Sequence, residues 1–256
     1  MQLGDFMKIL VLAAGYATRL YPLTLDRPKP LLPIAGRPML EYILKKLFVS
    51  TDISECLIVT NHRFAQKFQD WVNQYKSSIP ITVMDDGTLS DADKRGAVGD
   101  MRFVFEEKGI KDDMLVIAGD NLFDFDITKF YLFANSHIPY PSVGLYTVTD
   151  KEAVKRYSVV EIDKDNRIIH FEEKPEQPRS NLVAICLYFF PSQTLSLIDR
   201  YIRQGNNPDQ PGHYISWLCK AKNTYGYKFE GEWFDIGDKN EYKRADDAYH
   251  IRRANV

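Results

Sequence analysis

The stretch Leu12–Pro33, LAAGYATRLYPLTLDRPKPLLP, decides how this chain is read. It follows a short apolar run, Lys8 to Ala13, of the kind that forms a strand buried on both faces. It precedes a helical pattern from Pro38 to Phe48 in which Leu40, Ile43, Leu44 and Leu47 share one face, with Pro38 suited to the first turn. A structureless connection longer than ~12–15 residues is uncommon inside a domain and usually has a functional reason. Small residues at Ala13, Ala14, Gly15 and Ala17 let backbone amides approach a ligand closely, and Thr18, Arg19 and Lys29 add donors and positive charge suited to phosphate oxygens. Prolines at positions 22, 28, 30 and 33 stiffen the path, so less entropy is lost on closing around a ligand. A phosphate-binding loop is expected on these grounds alone. It is neither GxxxxGK[ST] nor GxGxxG, because Ala17 and Leu20 stand where the second pattern needs glycine, and generic ATPases and dehydrogenases are disfavoured.

Outward from the loop, apolar runs alternate with helical periods. Strands are expected at Cys56 to Thr60, Ile81 to Met84 and Leu115 to Ala118, with helices around Phe64 to Tyr75 and Gly96 to Glu107. That βαβαβαβ order implies an α/β fold: a Rossmann-like mixed, mostly parallel sheet with helices on both faces and a ligand beyond the carboxyl ends of the strands. After about residue 140 the pattern changes to strands at Ser142 to Thr147, Ser158 to Ile162, Arg167 to Glu172 and Val183 to Phe190, then helices at Gln193 to Arg203, His213 to Ala221 and Lys239 to Arg252. No Pro/Gly/Ser linker divides the chain. A single domain over 1–256 is expected, with a nucleotide half of about 1–140 and a sugar-phosphate half of about 141–256.

Composition narrows the partners. Lys and Arg number 33 against 35 Asp and Glu, a net charge of −2, whereas a nucleic-acid binder should carry a basic excess. The longest apolar stretch, Val183 to Phe190, is far short of the ~20 residues that cross a bilayer, and MQLGDFMK lacks the apolar centre of a secretory leader. The expectation is a cytoplasmic protein with no nucleic-acid or membrane partner. Residues 1–6, ahead of Met7, are expected to be either an alternative start or a cloning remnant. Three scattered cysteines have no metal-ligand spacing and suit buried thiols of a reducing compartment.

The loop resembles the signature of the sugar-1-phosphate nucleotidyltransferases, LAAGxGTRLxPLT followed by PKP, and particularly the glucose-1-phosphate thymidylyl- and uridylyltransferase-like group. The likeness covers about residues 8 to 250 and departs at Ala17, where the family usually has glycine. A methyl group there is tolerable at negative φ and costly otherwise. The resemblance implies that Leu12, Ala13, Ala14, Gly15, Ala17, Thr18 and Arg19 line the nucleotide. LVIAGD120N ends a strand with an acid, which suits either a magnesium ligand or an ordinary Gly-Asp turn. GEWFD235IGD resembles the family's WxDxG element, so Asp120 and Asp235 are implied as the two Mg²⁺ ligands, while Asp238 suits the N-cap of the terminal helix.

KRYSVVE161 and FEEK174P look like the family's RYGVVE and EEKP elements, with Ser158 in place of a glycine. The resemblance assigns Glu161 to sugar hydroxyls and Lys174 to the phosphate of the sugar 1-phosphate. The alternative for the second run is a solvated hairpin end. Gly144 either leaves room for sugar or nucleoside or marks a bulge. The base-reading segment, MDDGTLSDADKRGAVGD, matches least: Asp85 or Asp86 can accept from a base and Gly96 can lie under the ring, or the aspartates belong to an acidic surface loop.

The implied reaction is attack by a phosphate oxygen of a sugar 1-phosphate on the α-phosphorus of a nucleoside triphosphate, dTTP or UTP by the likeness, giving an NDP-sugar and pyrophosphate. Arg19 would hold the pyrophosphate, Lys29 the α-phosphate and Lys174 the acceptor, with Mg²⁺ as cofactor. The alternatives are a cytidylyltransferase acting on phosphocholine or an alditol phosphate, and a non-catalytic nucleotide-sugar-binding homologue. Assembly into a homo-oligomer is left open.

Overall fold

The computed structural model describes residues 7–49 and 52–254 of the chain, so the residues before Met7 lie outside it. The chain runs through β1 (Met7–Leu12), a hairpin of β2 (Pro33–Ile34) and β3 (Arg37–Pro38), α1 (Met39–Leu47), β4 (Ile53–Thr60), α2 (His62–Gln74), β5 (Ile81–Asp85), α3 (Ala97–Lys108) and β6 (Asp113–Ala118). It continues through β7 (Asn121–Phe123), α4 (Ile127–Ser136), β8 (Ser142–Thr147), α5 (Lys151–Val154), β9 (Ser158–Ile162), β10 (Ile168–Glu173) and β11 (Leu182–Phe190). The last elements are α6 (Ser196–Arg203), α7 (Pro211–Ala221), β12 (Tyr225–Lys228), β13 (Trp233–Asp235) and α8 (Lys239–Ala254).

Nine strands form one sheet whose main path is β10-β9-β11-β6-β1-β4-β5, with β8 and β12 branching from β11. The four strands from the first half are parallel to one another, and β11 joins them antiparallel to β6, so both halves share a sheet. Alternation along β1 shows why the faces differ. Ile9 and Val11 join a core with Ile43, Phe64 and Phe68, whereas Leu10 points through the sheet to Val98, Met101 and Tyr214. Helices α1 and α2 cover one face, and α3, α6 and α7 the other, as the alternating pattern implies. Asp238 caps α8 as expected, accepting from the backbone N–H groups of Asn240 and Glu241.

Helix α4 and strands β7 and β12 stand outside the sequence expectations. Ile127, Phe130, Tyr131 and Ala134 form the buried face of α4, but Leu132 and Phe133 between them blur its polar side. In β12 a glycine interrupts the run; any side chain at Gly226 would strike Leu145 Cδ1 at 2.3 Å.

The chain goes from β1 to β4 on one side and returns from β5 to β6 on the other side of β1. The strand order therefore reverses between β1 and β6, and an α/β sheet opens a crevice beyond the carboxyl ends at such a point. Among the described residues no helix is long and apolar enough to cross a membrane.

Candidate active site

A cleft of about 570 Å³ opens at this reversal, bounded by Leu12 and Ala118 at the ends of β1 and β6. Buried leucines at positions 20, 31 and 32 pin the long loop over it, and the Thr24 hydroxyl donates to the Ala17 carbonyl at 2.8 Å. Asn61 has two tasks: its Oδ1 accepts from Phe64 N–H to cap α2, while its amide donates to Ala14 O at 2.9 Å. Gly119 has a steric reason, since a Cβ there would lie 2.8 Å from Pro30 Cγ and push away the segment carrying Lys29.

The two distant acids meet. Strand β13 pairs with β7 so that Asp235 lies opposite Asn121, and Ile236 N–H donates to Asp120 O at 3.1 Å. Trp233 Nε1–H donates to Asn121 Oδ1, and the Asn121 amide donates in turn to Asp120 Oδ1, fixing that carboxylate. Lys29 Nζ donates to Asp120 Oδ2 at 2.6 Å and to Ile236 O at 2.8 Å. Burial would raise the Asp120 carboxyl, but the Lys29 charge and hydrogen bond outweigh it and hold the group below its ordinary value. Asp235 has no such contact; burial first, then the Asp120 charge, pushes it up to about 7.

Two half-buried carboxylates beside a carbonyl, one of them held by an ammonium, form a donor set for a hard cation. Among the described residues no group of three or more His, Cys, Asp or Glu side chains gathers to hold a metal. Two carboxylates with the remaining positions left to phosphate oxygens and water is the usual provision for Mg²⁺, so the residues present fit that ion.

Leu12, Ala13, Ala14, Gly15, Ala17, Thr18 and Arg19 all line the cleft, as do Lys29, Gly96, Asp120, Lys174 and Asp235. Ala17 adopts the left-handed conformation, φ 49°, which a Cβ disfavours. The family's usual glycine suits that backbone; alanine there is strained by ~1 kcal/mol. We therefore expect Ala17→Gly to raise the melting temperature by roughly 2–4 °C, read by thermal unfolding; an unchanged or lower value would show that the loop holds no such strain.

Three expected residues fall outside the cleft lining. Glu161 lies three positions along β9 from Ser158, and strand alternation turns it to the opposite face; Ser158 lines the cleft and Glu161 does not. The carboxylate that does face the cleft is Glu173, the register partner of Ser158 on β10. The Ser158 hydroxyl donates to Glu173 Oε2, and the Glu173 side chain is only 10% exposed, so Glu173 is withdrawn from solvent while its neighbours Glu172 and Lys174 stay about half exposed. Gly144 makes room for protein, because a Cβ there would meet Ile185, Phe229 and Leu187 at 3.1–3.2 Å. Asp86 is enclosed behind the lining, where its Oδ1 accepts from Thr88 N–H.

Gly96 lines the cleft, but the space left by its missing side chain is filled by the Pro208 and Asp209 backbone, 2.4–2.8 Å from an added Cβ. That packing and φ 77° explain the glycine without a ring stacked on it. Sequence reasoning also missed Arg156, Asp91, Lys94 and Asp100, which line the cleft from loops and the first turn of α3. Cys186 lines it too, yet burial pushes its thiol up to about 12, which rules it out as a thiolate nucleophile.

The family model described as nucleotidyl transferase matches residues 8–251. A Sulfolobus acidocaldarius protein assigned as a mannose-1-phosphate guanyltransferase is 33% identical over 92% of this chain and 61% of its own length. The bifunctional protein GlmU of Methanocaldococcus jannaschii is 30% identical over 90% of this chain and 51% of its own. The chain thus spans between half and two thirds of the length of these relatives. Among solved structures, a Bacillus anthracis protein assigned as a glucose-1-phosphate thymidylyltransferase, in complex with sucrose, is 26% identical and superposes with a TM-score of 0.77 over 95% of both chains. With one family model covering nearly the whole sequence and the loop and both acids gathered at one crevice, the chain belongs to the nucleotidyl transferase family.

Proposed function

We propose that this chain transfers a nucleoside monophosphate from a nucleoside triphosphate to a sugar 1-phosphate, releasing pyrophosphate. The observation that carries the reading is the meeting of Lys29, Asp120 and Asp235 in one cleft that Arg19 and Lys174 also line. A phosphate monoester is already an anionic nucleophile, so the site has to position two anions and offset their repulsion, and no covalent intermediate or general base is needed. Amides and hydroxyl of the Gly15–Arg19 segment bind the triphosphate, and Arg19 holds the leaving pyrophosphate. Lys29 neutralises charge that builds at the α-phosphate. Asp120 and Asp235 would hold Mg²⁺, which when bound supplies electrostatic stabilisation of the reacting phosphates. Lys174, φ 46° and so fixed in a left-handed turn, presents its ammonium to the acceptor phosphate, while Glu173 accepts from sugar hydroxyls.

Pyrophosphate release, measured across acceptors, tests this. We expect release that requires both a nucleoside triphosphate and a sugar 1-phosphate; dependence on phosphocholine or an alditol phosphate instead would replace the sugar reading, and nucleotide-sugar binding without release from any acceptor would overturn the catalytic one.

Gly212 gives a sharper local test. A Cβ at Gly212 would lie 1.9 Å from Glu173 Oε2 and 2.5 Å from Ser158 Oγ. Gly212→Ala must move Glu173, so KM for the sugar phosphate should rise at least ~10-fold, as for loss of one charged hydrogen bond, with KM for the triphosphate changing by less than about 2-fold. Equal increases in both would deny Glu173 its acceptor role.

A further inference from the structure

One departure from the family pattern lies inside the cleft: Ser158 stands where the likeness has glycine. Its backbone is already paired on both sides, with Glu173 of β10 and Ala184 of β11, so the strand does not need the side chain. The added hydroxymethyl group is buried in the cleft wall and donates its one proton to Glu173 Oε2.

The two oxygens of Glu173 therefore have different surroundings. Oε2 is wedged between Ser158 and the first turn of α7, where Gly212 leaves no room for a Cβ: the added atom would lie 1.9 Å from Glu173 Oε2 and 2.5 Å from Ser158 Oγ. Oε1 lies 3.4 Å from Lys174 Nζ, beside the ammonium given to the acceptor phosphate. The carboxylate is held in this attitude from both ends of its turn, since Glu173 pairs in register with Ser158 and the Lys174 N–H donates to Tyr157 O at 3.2 Å. One oxygen is satisfied by the protein, and one is left to the substrate.

A carboxylate with both oxygens open can take two neighbouring hydroxyls of a sugar ring, one on each. Here the serine hydroxyl holds the place of one of them, and its carbon and oxygen fill space that glycine would leave to the ligand. A substrate hydroxyl brought to that point gives up its water with no free carboxylate oxygen in return, which weakens binding. A ring carbon bearing only hydrogen loses nothing there. We propose that Ser158 sets the acceptor class as a deoxy-sugar 1-phosphate, which lacks one of the two neighbouring hydroxyls that a glycine at this position would let Glu173 hold. This rests on the nucleotidyl-transfer reading and on Glu173 as its hydroxyl acceptor, and it narrows that role to a single substrate hydroxyl on Oε1.

Pyrophosphate release with glucose 1-phosphate and with its 2-, 3- and 4-deoxy analogues tests the inference in wild type, Ser158→Gly and Ser158→Ala, read as kcat/KM for the acceptor. In wild type at least one deoxy analogue should be used as well as glucose 1-phosphate or better. In Ser158→Gly the preference should move ~10-fold or more towards glucose 1-phosphate and away from that same analogue, the usual effect of gaining one hydrogen bond to a charged group. A purely structural role for Ser158 would change all four acceptors alike. If Ser158→Gly fails to fold, Ser158→Ala, which removes the hydroxyl and keeps the Cβ, decides by the same ratio. Every deoxy analogue falling below glucose 1-phosphate in wild type, or a ranking that the variants leave unchanged, would overturn the inference while the nucleotidyl-transfer reading stands. No release from any of the four would also overturn it, and the wider acceptor panel given above then decides the reading itself.

Discussion

Lys29→Ala should lower turnover at least ~10²-fold, the usual loss when one preorganised electrostatic contact to a transition state is removed. The same ammonium also has a structural task in the unliganded protein. It is the hydrogen-bonded cation on Asp120, and it is bound at the same time to the Ile236 carbonyl. Its removal leaves Asp120 and Asp235 half-buried beside each other with no cation in contact, so the melting temperature without divalent ion should fall. Mg²⁺ or Mn²⁺ should restore the melting temperature, since it binds the folded state and offsets the same charge. It should not restore turnover, because the ion cannot replace the lysine at the α-phosphate. Thermal unfolding with and without metal, beside steady-state pyrophosphate release, separates the two tasks. Near-normal turnover in this variant would refute the role given to Lys29.

Asp235→Asn should also reduce turnover by ~10² or more, but its stability should move the other way. The Asp235 carboxyl is pushed up because burial and the Asp120 charge both oppose its ionisation. An amide of the same shape removes that repulsion, so the metal-free variant should melt at or above the wild-type temperature. This opposition between activity and stability marks a group kept for function. A variant that loses stability in step with turnover would instead make Asp235 a structural residue.

Much of this was legible because the decisive signals are local. The apolar run of β1 and the loop after it lie together in sequence, so their order alone located the crevice. The α1 face formed by Leu40, Ile43, Leu44 and Leu47 is wholly buried, as a 3.6-residue period requires. Asp120 is readable as an acid at a strand end, but its pairing with Asp235 only through the likeness of their flanking residues; nothing in their separation shows that β7 and β13 pair.

The failures have physical causes. Glu161 was chosen from its motif without counting the two-residue alternation along β9, which gives the cleft Ser158 and, across the register, Glu173. In sequence Gly144 suits either room for sugar or nucleoside or a bulge, and Gly96 a place under the base ring, but tertiary packing takes the space at both, with Phe229 at one and the Pro208–Asp209 backbone at the other. Asp100 looked like one acid among many in a polar segment. Only the fold shows that it is buried at the cleft.

Crystals grown with Mn²⁺ and the α,β-methylene analogue of the tightest-binding triphosphate would put the central claim to its most direct test through anomalous difference density. The account predicts a manganese peak coordinated by Asp120 and Asp235, with the triphosphate along Gly15–Arg19 and Lys29 at the α-phosphate. A peak elsewhere, or a triphosphate bound with the two aspartates free of metal, would contradict it.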